Sequence, residues 1–248
     1  MFAQIDHIVI LVTDLTTASA EYAGLGFTVT PGGEHTDGAT KNALICFADG
    51  SYLELLVFQR TAEGHIWWRH THAGPGLIDY ALLPESTAAA VQAARSRGLA
   101  IAGPIAGGRQ RPDGVQLAWE TGRPENGVLP FLCGDVTPRS LRVPEGAARE
   151  HANGITGIAE VTIAVHDLEL ATHQYTLLLG REPDLSHGEI RFPLGNGQIT
   201  LRAPSPTELN TGALDERLAQ RGEGIFAIRF TGPDDVVRGI DRKGHPIL

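Results

Sequence analysis

Two side chains near the start of the chain have types and positions that suit metal or acid–base chemistry. His7 lies in the apolar run IDHIVIL, and Glu54 lies in the run SYLELLVF. A carboxylate inside an apolar strand is costly unless it is paired, hydrogen-bonded or bound to a metal. A metal pair and a buried His7–Glu54 hydrogen bond are the two interpretations, and the sequence leaves both open.

Three segments share one pattern, which is a strand, a helix cap and a short amphipathic helix that ends at glycine. They are Gln4–Phe27, Gly76–Leu99 and Gly157–Gly180, with a weaker fourth copy that begins at Gly224. Short oxygen-bearing side chains satisfy the free amides of a first helical turn, so Asp14, Ser86 and Asp167 are the predicted N-caps. This internal similarity indicates a repeat architecture.

Short strand-like runs follow each helix. In the first unit they are Phe27–Thr30, Ala43–Ala48 and Tyr52–Phe58, and in the second they are Gly114–Glu120 and Leu129–Cys133. The third unit offers Glu189–Pro193 and Gln198–Arg202, whereas an inner strand near Leu99–Pro104 is poorly marked. The sequence therefore predicts an α+β protein of repeated βαβββ units, of which the fourth is incomplete.

Alternation along the first strand places His7 on the concave face of a sheet, because Ile8 and Ile10 on the other face should pack under the helix. The repeat offset matches His7 to Asp79 in the second unit and to Glu160 in the third. A polar residue at this position in three units is not typical of a hydrophobic core. For Asp79, metal ligation and a buried ion pair are equally open, whereas Glu160 is interpreted as a structural acid.

The order and spacing of these units resemble the vicinal oxygen chelate superfamily, and within it the glyoxalase-like domain family. The matching stretches are IDHIVILVTDL, GFTVTPGGEH, DGSYLELLVF, GGRQRPDGVQLAW, GVLPFLCGD and EHANGITGIAEV, which together span most of residues 4–180. The resemblance implies that paired βαβββ units form cupped mixed or antiparallel sheets around a concave pocket.

The resemblance also implies a metal site, with a His or Glu from the first and last strands of each paired unit. His7 and Glu54 match the first unit, and Asp79 matches the first strand of the second. The fourth position falls at about Phe131 or Leu132, neither of which can ligate a metal. One nitrogen and two carboxylates suit a divalent metal such as Zn, Mn, Fe, Ni or Mg. This ligand set differs from a two-histidine, one-carboxylate triad, which makes dioxygenase chemistry the less expected outcome.

Other residues are candidates for substrate binding. Tyr52, Trp67, Trp119 and Phe131 would give the pocket an aromatic lining, although Trp119 and Phe131 could equally belong to the core. Trp67 belongs to His65–His72, which is interpreted as a connection that covers the pocket mouth.

Two further side chains complete the candidate set. Arg109 could bind a carboxylate or phosphate through its guanidinium group, or it could lie with Arg111 in a solvated hairpin. His151 matches a histidine of the family pattern in the segment that joins the two halves of the chain.

Composition excludes several other classes. The chain has 248 residues and a net charge of −9, which is unfavourable for nucleic acid or an anionic membrane. Its two cysteines provide no disulfide framework, and no signal peptide or membrane span is evident, so a cytoplasmic protein is expected. Motifs of nucleophile-elbow hydrolases, P-loop enzymes and zinc peptidases are absent from the sequence.

Two domains and two functions are predicted. Residues 1–138 should form the paired units with the site, residues 153–248 a second, incomplete pair, and the segment between them a linker. The leading function is a lyase or isomerase that uses a divalent metal held by His7, Glu54 and Asp79 on a small oxygenated metabolite, with Glu54 or Asp79 as general base. The alternative is a metal-free protein that binds a small molecule in the same cup. A homodimer is possible, because an incomplete half leaves strand edges to cover.

Overall fold

A computed structural model describes residues 2–186, 189–204, 212–232, 239–240 and 246–247. The first unit contains β1 (Phe2–Leu11), α1 (Leu15–Gly24), β2 (Thr30–His35), β3 (Thr40–Cys46) and β4 (Tyr52–Phe58). The second contains β5 (Gly76–Pro84), α2 (Thr87–Ser96), β6 (Ile101–Gln110), β7 (Gln116–Pro124) and β8 (Phe131–Asp135). Both units therefore have the predicted order, and a 3₁₀ turn at Trp68–Ala73 precedes the second.

The eight strands of these units form one closed, mixed sheet in the order β1-β4-β3-β2-β6-β7-β8-β5. The outer face of the sheet packs against the helices, as where Ile8 and Ile10 join a core cluster with Tyr22 of α1. The inner face carries Val9 and the polar His7, because side chains alternate along a strand. The α+β fold of repeated units predicted from the sequence is confirmed.

The segment between the halves is not an exposed linker. It contains α3 (Arg139–Arg142) and a second 3₁₀ turn at Gly146–Arg149. The Arg142 guanidinium is almost fully buried, and its Nη1 donates to Asp6 at 2.7 Å and to the Tyr52 hydroxyl at 2.9 Å. The prolines and charges of this segment predicted a linker, and the burial of Arg142 was not evident from the sequence because its partner Asp6 is far away in the chain.

The second half is smaller and open. Its elements are β9 (Gly157–Ala164), α4 (Leu168–Leu179), β10 (Ile190–Pro193), β11 (Gln198–Arg202), α5 (Gly212–Arg221) and β12 (Gly224–Thr231), followed by the short pair β13 (Gly239–Ile240) and β14 (Pro246–Ile247). The sheet order is β10-β11-β9-β12. The predicted helix of the fourth unit lies mainly outside the described residues.

The two halves share one hydrophobic core rather than two separate ones. A single cluster of buried side chains runs from Ile5 and Tyr80 in the closed sheet to Val161 and Tyr175 in the second half. The hydroxyl groups of Tyr80 and Tyr175 form a buried hydrogen bond of 2.7 Å. The second half therefore contributes directly to the packing behind β1 and β5.

Helix caps follow the sequence closely. The side chains of Asp14, Ser86 and Asp167 accept hydrogen bonds from the first turns of α1, α2 and α4, as predicted. Gly180 ends α4 in the left-handed conformation that glycine favours. Among the described helices, none is long and apolar enough to span a membrane.

Several strand boundaries differ from the predictions, and three of them illustrate the difference. The strand expected at Phe27–Thr30 begins at Thr30 and extends to His35. The weakly marked inner strand of the second unit is a ten-residue strand that reaches Gln110. The strand expected at Gly114–Glu120 continues to Pro124. Each extension brings polar side chains onto the inner face of the closed sheet.

Gly33 explains why β2 can continue past a proline and two glycines. Its φ of +136° lies in the region that favours glycine, and a Cβ atom there would collide with the Gln110 carbonyl of β6. This glycine therefore lets β2 approach β6 closely enough to close the sheet.

Removing one member of the buried ion pair between Asp6 and Arg142 should destabilise the fold. We expect Asp6→Asn to lower the free energy of unfolding by about 3–5 kcal/mol, because the almost fully buried Arg142 then keeps only Asp135 as a charged partner. Urea denaturation at pH 7 measures this change. Asp113→Asn, which removes a surface ion pair with Arg111, is the control and should have little effect. Equal effects of the two substitutions would contradict the assignment.

The contribution of Asp6 should also depend on pH in a defined direction. Burial alone would raise the pKa of Asp6, but Arg142, His7 and Arg139 together hold it well below its ordinary value of 3.8. The stabilisation is therefore complete above about pH 4 and is lost as the pH falls further. We expect the stability difference between wild type and Asp6→Asn to shrink steadily from pH 4 to pH 2 in urea titrations.

Candidate functional site

The closed sheet encloses a cavity of about 210 Å³, which is the size of a small metabolite. Seven of the residues predicted from the sequence line it, namely His7, Tyr52, Glu54, Trp67, Arg109, Trp119 and Phe131. The structure therefore brings together residues from β1, β4, β6, β7, β8 and the connection before β5. Asp79 and His151 do not line this cavity.

Glu54 lies between two imidazole rings on the cavity wall. Its Oε2 is 3.5 Å from Nε2 of His7, and its Oε1 is 3.5 Å from Nε2 of His35. Oε1 also accepts a hydrogen bond of 2.6 Å from the Asn42 side chain. The carboxylate is thus held by neighbours on both sides while it remains part of the cavity lining.

His7 is fixed in orientation by three neighbours. Its Nδ1 lies 2.7 Å from the buried Asp6 carboxylate, which accepts the hydrogen. The ring stacks on Tyr52 with centroids 4.6 Å apart, and it meets the edge of Phe131 at 5.3 Å. Because Nδ1 carries the hydrogen that Asp6 accepts, Nε2 is the nitrogen directed at Glu54.

The surroundings set the protonation of this group. Burial alone would raise the pKa of Glu54, but His35, His7 and the Asn42 hydrogen bond outweigh it and keep the pKa below its ordinary value. Burial lowers the pKa of His35, and the attraction of Glu54 does not offset it fully. The charged form of Glu54 is therefore favoured inside the cavity.

Arg109 lies within β6 and is buried, so it belongs to the cavity rather than to an exposed hairpin. Its guanidinium group donates to the Asn42 side chain at 2.9 Å and to the Arg142 carbonyl at 3.2 Å. Asn42 thus connects Arg109 to Glu54. Arg111 lies in the hairpin with its Nη2 2.7 Å from Asp113, in agreement with a solvated role.

Asp79 occupies a different position from the one predicted for a metal ligand. Its two oxygens accept hydrogen bonds from Trp67 Nε1 at 2.7 Å and from the Tyr80 amide at 2.8 Å. Burial raises the pKa of Asp79. The carboxylate lines a neighbouring cavity, which Trp67 and Phe131 also border. The aromatic rings of Trp67 and Phe131, and not the Asp79 carboxylate, therefore line the main cavity with Glu54.

The metal set predicted from the sequence does not fit this arrangement. Asp79 is withdrawn from His7 and Glu54, and Phe131 occupies the fourth position of the family pattern. Nε2 of His7 and Nε2 of His35 each lie 3.5 Å from one oxygen of Glu54. In the described part of the chain, no three His, Cys, Asp or Glu side chains are grouped to hold one metal ion.

His151 and Glu160 have structural partners instead. The Thr28 amide donates to His151 Nδ1 at 2.9 Å, and Nε2 donates to the Cys46 carbonyl at 3.0 Å. Its ring therefore fastens the connecting segment to the closed sheet, and the substrate-binding role expected for it has no support from its position. Glu160 forms an ion pair with Arg229 at 2.8 Å, as a structural acid would.

Three site residues were not identified from the sequence. His35 and Arg123 lie near strand ends beyond the predicted boundaries, and Asn42 lies one residue before the predicted start of its strand, which begins at Thr40. The Gly32-Gly33 pair is the sequence feature that could have indicated the extension of β2 to His35. A Cβ atom at Gly32 would collide with the Asn42 and Arg109 side chains, so glycine there makes room for their hydrogen bond.

Comparisons with known proteins agree with this fold. The model of the Glyoxalase-like domain family matches residues 5–179. Among solved structures, a hypothetical protein from Staphylococcus aureus is 16% identical with a TM-score of 0.67, covering 80% of this chain and 85% of that one. A mutant of 4-hydroxymandelate synthase from Streptomyces coelicolor is 14% identical with a TM-score of 0.63, covering 92% and 71%.

The fold and the cavity define a protein of the vicinal oxygen chelate class. Within it, the chain belongs to the glyoxalase-like domain family, because the family match covers more than half of its residues. A comparison with curated proteins gives no significant match. The similarity to solved structures at such low identity shows the fold alone.

The position of Asp79 leads to a prediction about metals. We expect Zn²⁺, Mn²⁺, Fe²⁺, Ni²⁺ or Mg²⁺ to change the melting temperature of the wild type no more than that of a His7→Ala, Glu54→Ala variant, because the described residues include no group of three metal-binding side chains. Differential scanning fluorimetry and metal analysis by mass spectrometry measure this. A stoichiometric metal that disappears in the variant would show that these side chains rearrange to bind it.

Proposed function

We propose that the chain is a lyase or isomerase that acts on a small oxygenated metabolite, with Glu54 as the group that transfers the proton. The observation that supports this most strongly is a buried, ionised carboxylate that borders a closed cavity between two imidazoles. Burying such a group costs free energy, so a fold that retains it inside a cavity favours a chemical role over packing.

The chemistry follows from the charges around the cavity. Glu54 accepts a proton from a carbon next to a carbonyl group of the substrate, and negative charge then develops on the carbonyl oxygen. Hydrogen-bond donors in the same wall stabilise that oxygen, because a preorganised donor in a water-poor cavity needs little rearrangement. Arg109 is a candidate donor, because it lines the same cavity as Glu54.

The proton then leaves Glu54 again. In an isomerase it returns to a different carbon or to the opposite face of the same carbon. In a lyase it passes to the group that leaves from the neighbouring carbon. Either way, Asp6 and Tyr52 keep His7 in one orientation beside Glu54 during the reaction.

Metal assistance is a separate question from proton transfer. Members of the superfamily often bind divalent metals. The described residues include no group of three metal-binding side chains, so the proposed proton transfer uses protein side chains alone. Assays with and without added divalent metal therefore belong to the test.

Deuterium exchange tests the role of Glu54 without knowledge of the full reaction. The protein is incubated in D₂O with a panel of small hydroxy-carbonyl and dicarbonyl compounds, and NMR follows the loss of the carbon-bound proton. We expect Glu54→Gln, which keeps the shape of the side chain, to slow exchange by roughly 100-fold or more. Glu120→Gln, on β7 outside the cavity, is the matched control. Exchange at the wild-type rate in Glu54→Gln would refute the assignment.

The pH profile of the same exchange provides an independent test. The base must be ionised to act, and the pKa of Glu54 lies below the ordinary value of 4.5 for a glutamate side chain. We therefore expect the exchange rate per folded molecule to stay constant from pH 7 down to at least pH 5. A loss of rate centred near pH 6 to 7 would indicate that a histidine is the base.

A metal-free binding protein is the second candidate. The aromatic lining formed by Tyr52, Trp67, Trp119 and Phe131 supports it, because such walls suit the sequestration of an apolar or aromatic molecule. Exchange separates the two functions. A pure binding protein would bind members of the panel with equal affinity in wild type and Glu54→Gln and would exchange no proton in either.

A further inference from the structure

Arg123 contributes a positive charge to the cavity wall, opposite the Glu54 side of the site. It lies in β7 and stacks over two aromatic rings, with its Cζ 4.8 Å from the centroid of Phe131 and 5.6 Å from that of Trp67. Stacking of this kind holds a guanidinium plane while leaving its N–H groups at the edge free. Arg123 also lines the cavity that contains Glu54.

The arginines of the cavity differ in how their charge is used. Arg142 is paired with Asp6 and Asp135, and Arg109 donates to Asn42 and to a backbone carbonyl. In the part of the chain that the structure describes, the guanidinium group of Arg123 has neither a hydrogen bond nor an ion pair. It is thus a cation with unused donors that borders the enclosed space.

Asp79 does not use these donors. Arg123 and Asp79 border the same neighbouring cavity, but both carboxylate oxygens of Asp79 already accept hydrogen bonds, from Trp67 and from the Tyr80 amide. The negative charge of Asp79 therefore favours the charged form of Arg123, although the two side chains form no ion pair in the described structure. The N–H groups of Arg123 stay available to a ligand in the main cavity.

We propose that Arg123 binds a carboxylate group of the substrate, which restricts the substrate to small carboxylic acids with a flat or apolar body. The inference rests on the proposed function, because it places the carboxylate at Arg123 and the reacting carbon at Glu54. A guanidinium group matches the two oxygens of a carboxylate with parallel hydrogen bonds. Trp67 and Phe131 beside it provide an apolar wall for the rest of the molecule.

A carboxylate fits this site better than a phosphate ester. The cavity holds about 210 Å³ and also contains the Glu54 carboxylate, which repels a doubly charged ligand more strongly than a singly charged one. Arg123 provides one guanidinium group with free donors, which is enough to bind one carboxylate group.

The test uses ligands of equal shape and different charge. Benzoate, benzamide and phenyl phosphate are titrated into the full chain by isothermal titration calorimetry, with tryptophan fluorescence as a second readout. We expect benzoate to bind at least about tenfold more tightly than benzamide, since only benzoate forms charge-assisted hydrogen bonds. Arg123→Gln should abolish this preference, and Arg123→Lys should retain part of it. Arg202→Gln, in the second half, is the control and should behave as the wild type.

The outcomes separate this inference from the proposed function. Equal binding of benzoate and benzamide by the wild type, or tighter binding of phenyl phosphate, would overturn the carboxylate assignment even if proton exchange is found. A preference for benzoate that depends on Arg123 would support it even if no compound of the panel exchanges. Glu54→Gln should keep the preference, and melting temperatures of the Arg123 variants show whether they fold.

Discussion

The buried Asp6 carboxylate is the constraint on which the rest of the site depends. A fully buried charge must be compensated, and Asp6 is compensated by Arg142 and Arg139 from the connecting segment. The same carboxylate accepts the Nδ1 hydrogen of His7. The packing of α3 against the closed sheet and the orientation of the His7 imidazole beside Glu54 therefore depend on the same carboxylate. A substitution that detaches the connecting segment would also disturb proton transfer by Glu54.

The two paired units have the same architecture but present different chemistry to the cavity. The first unit provides His7, His35 and Glu54, which suit proton transfer. The second provides Phe131 and Arg123, while its acid Asp79 accepts a hydrogen bond from Trp67. A repeat of the backbone therefore does not imply a repeat of the site. The result is an asymmetric cavity with a carboxylate on one wall and a stacked cation on the other.

Local patterns predicted the elements well because their causes are local. The N-caps Asp14, Ser86 and Asp167 bind amides three residues away, so their effect is visible in the sequence. Strand ends were less predictable, because β2 continues to His35 only where Gly33 lets it meet β6. That contact joins residues about 75 positions apart, and nothing in the neighbouring residues reveals it.

The sequence alone determined the repeated units and the inward direction of His7, since these follow from residue periodicity. It also marked Glu54 through the cost of a buried carboxylate and showed the resemblance to the family through the order of its motifs. Tertiary structure decided which of the candidates meet. It placed Asp79 behind Trp67, assigned His151 to the junction of the halves and brought Arg123 to the cavity. Such pairings depend on register and closure of the sheet, which arise from contacts between distant segments and are not encoded in any short stretch of the chain.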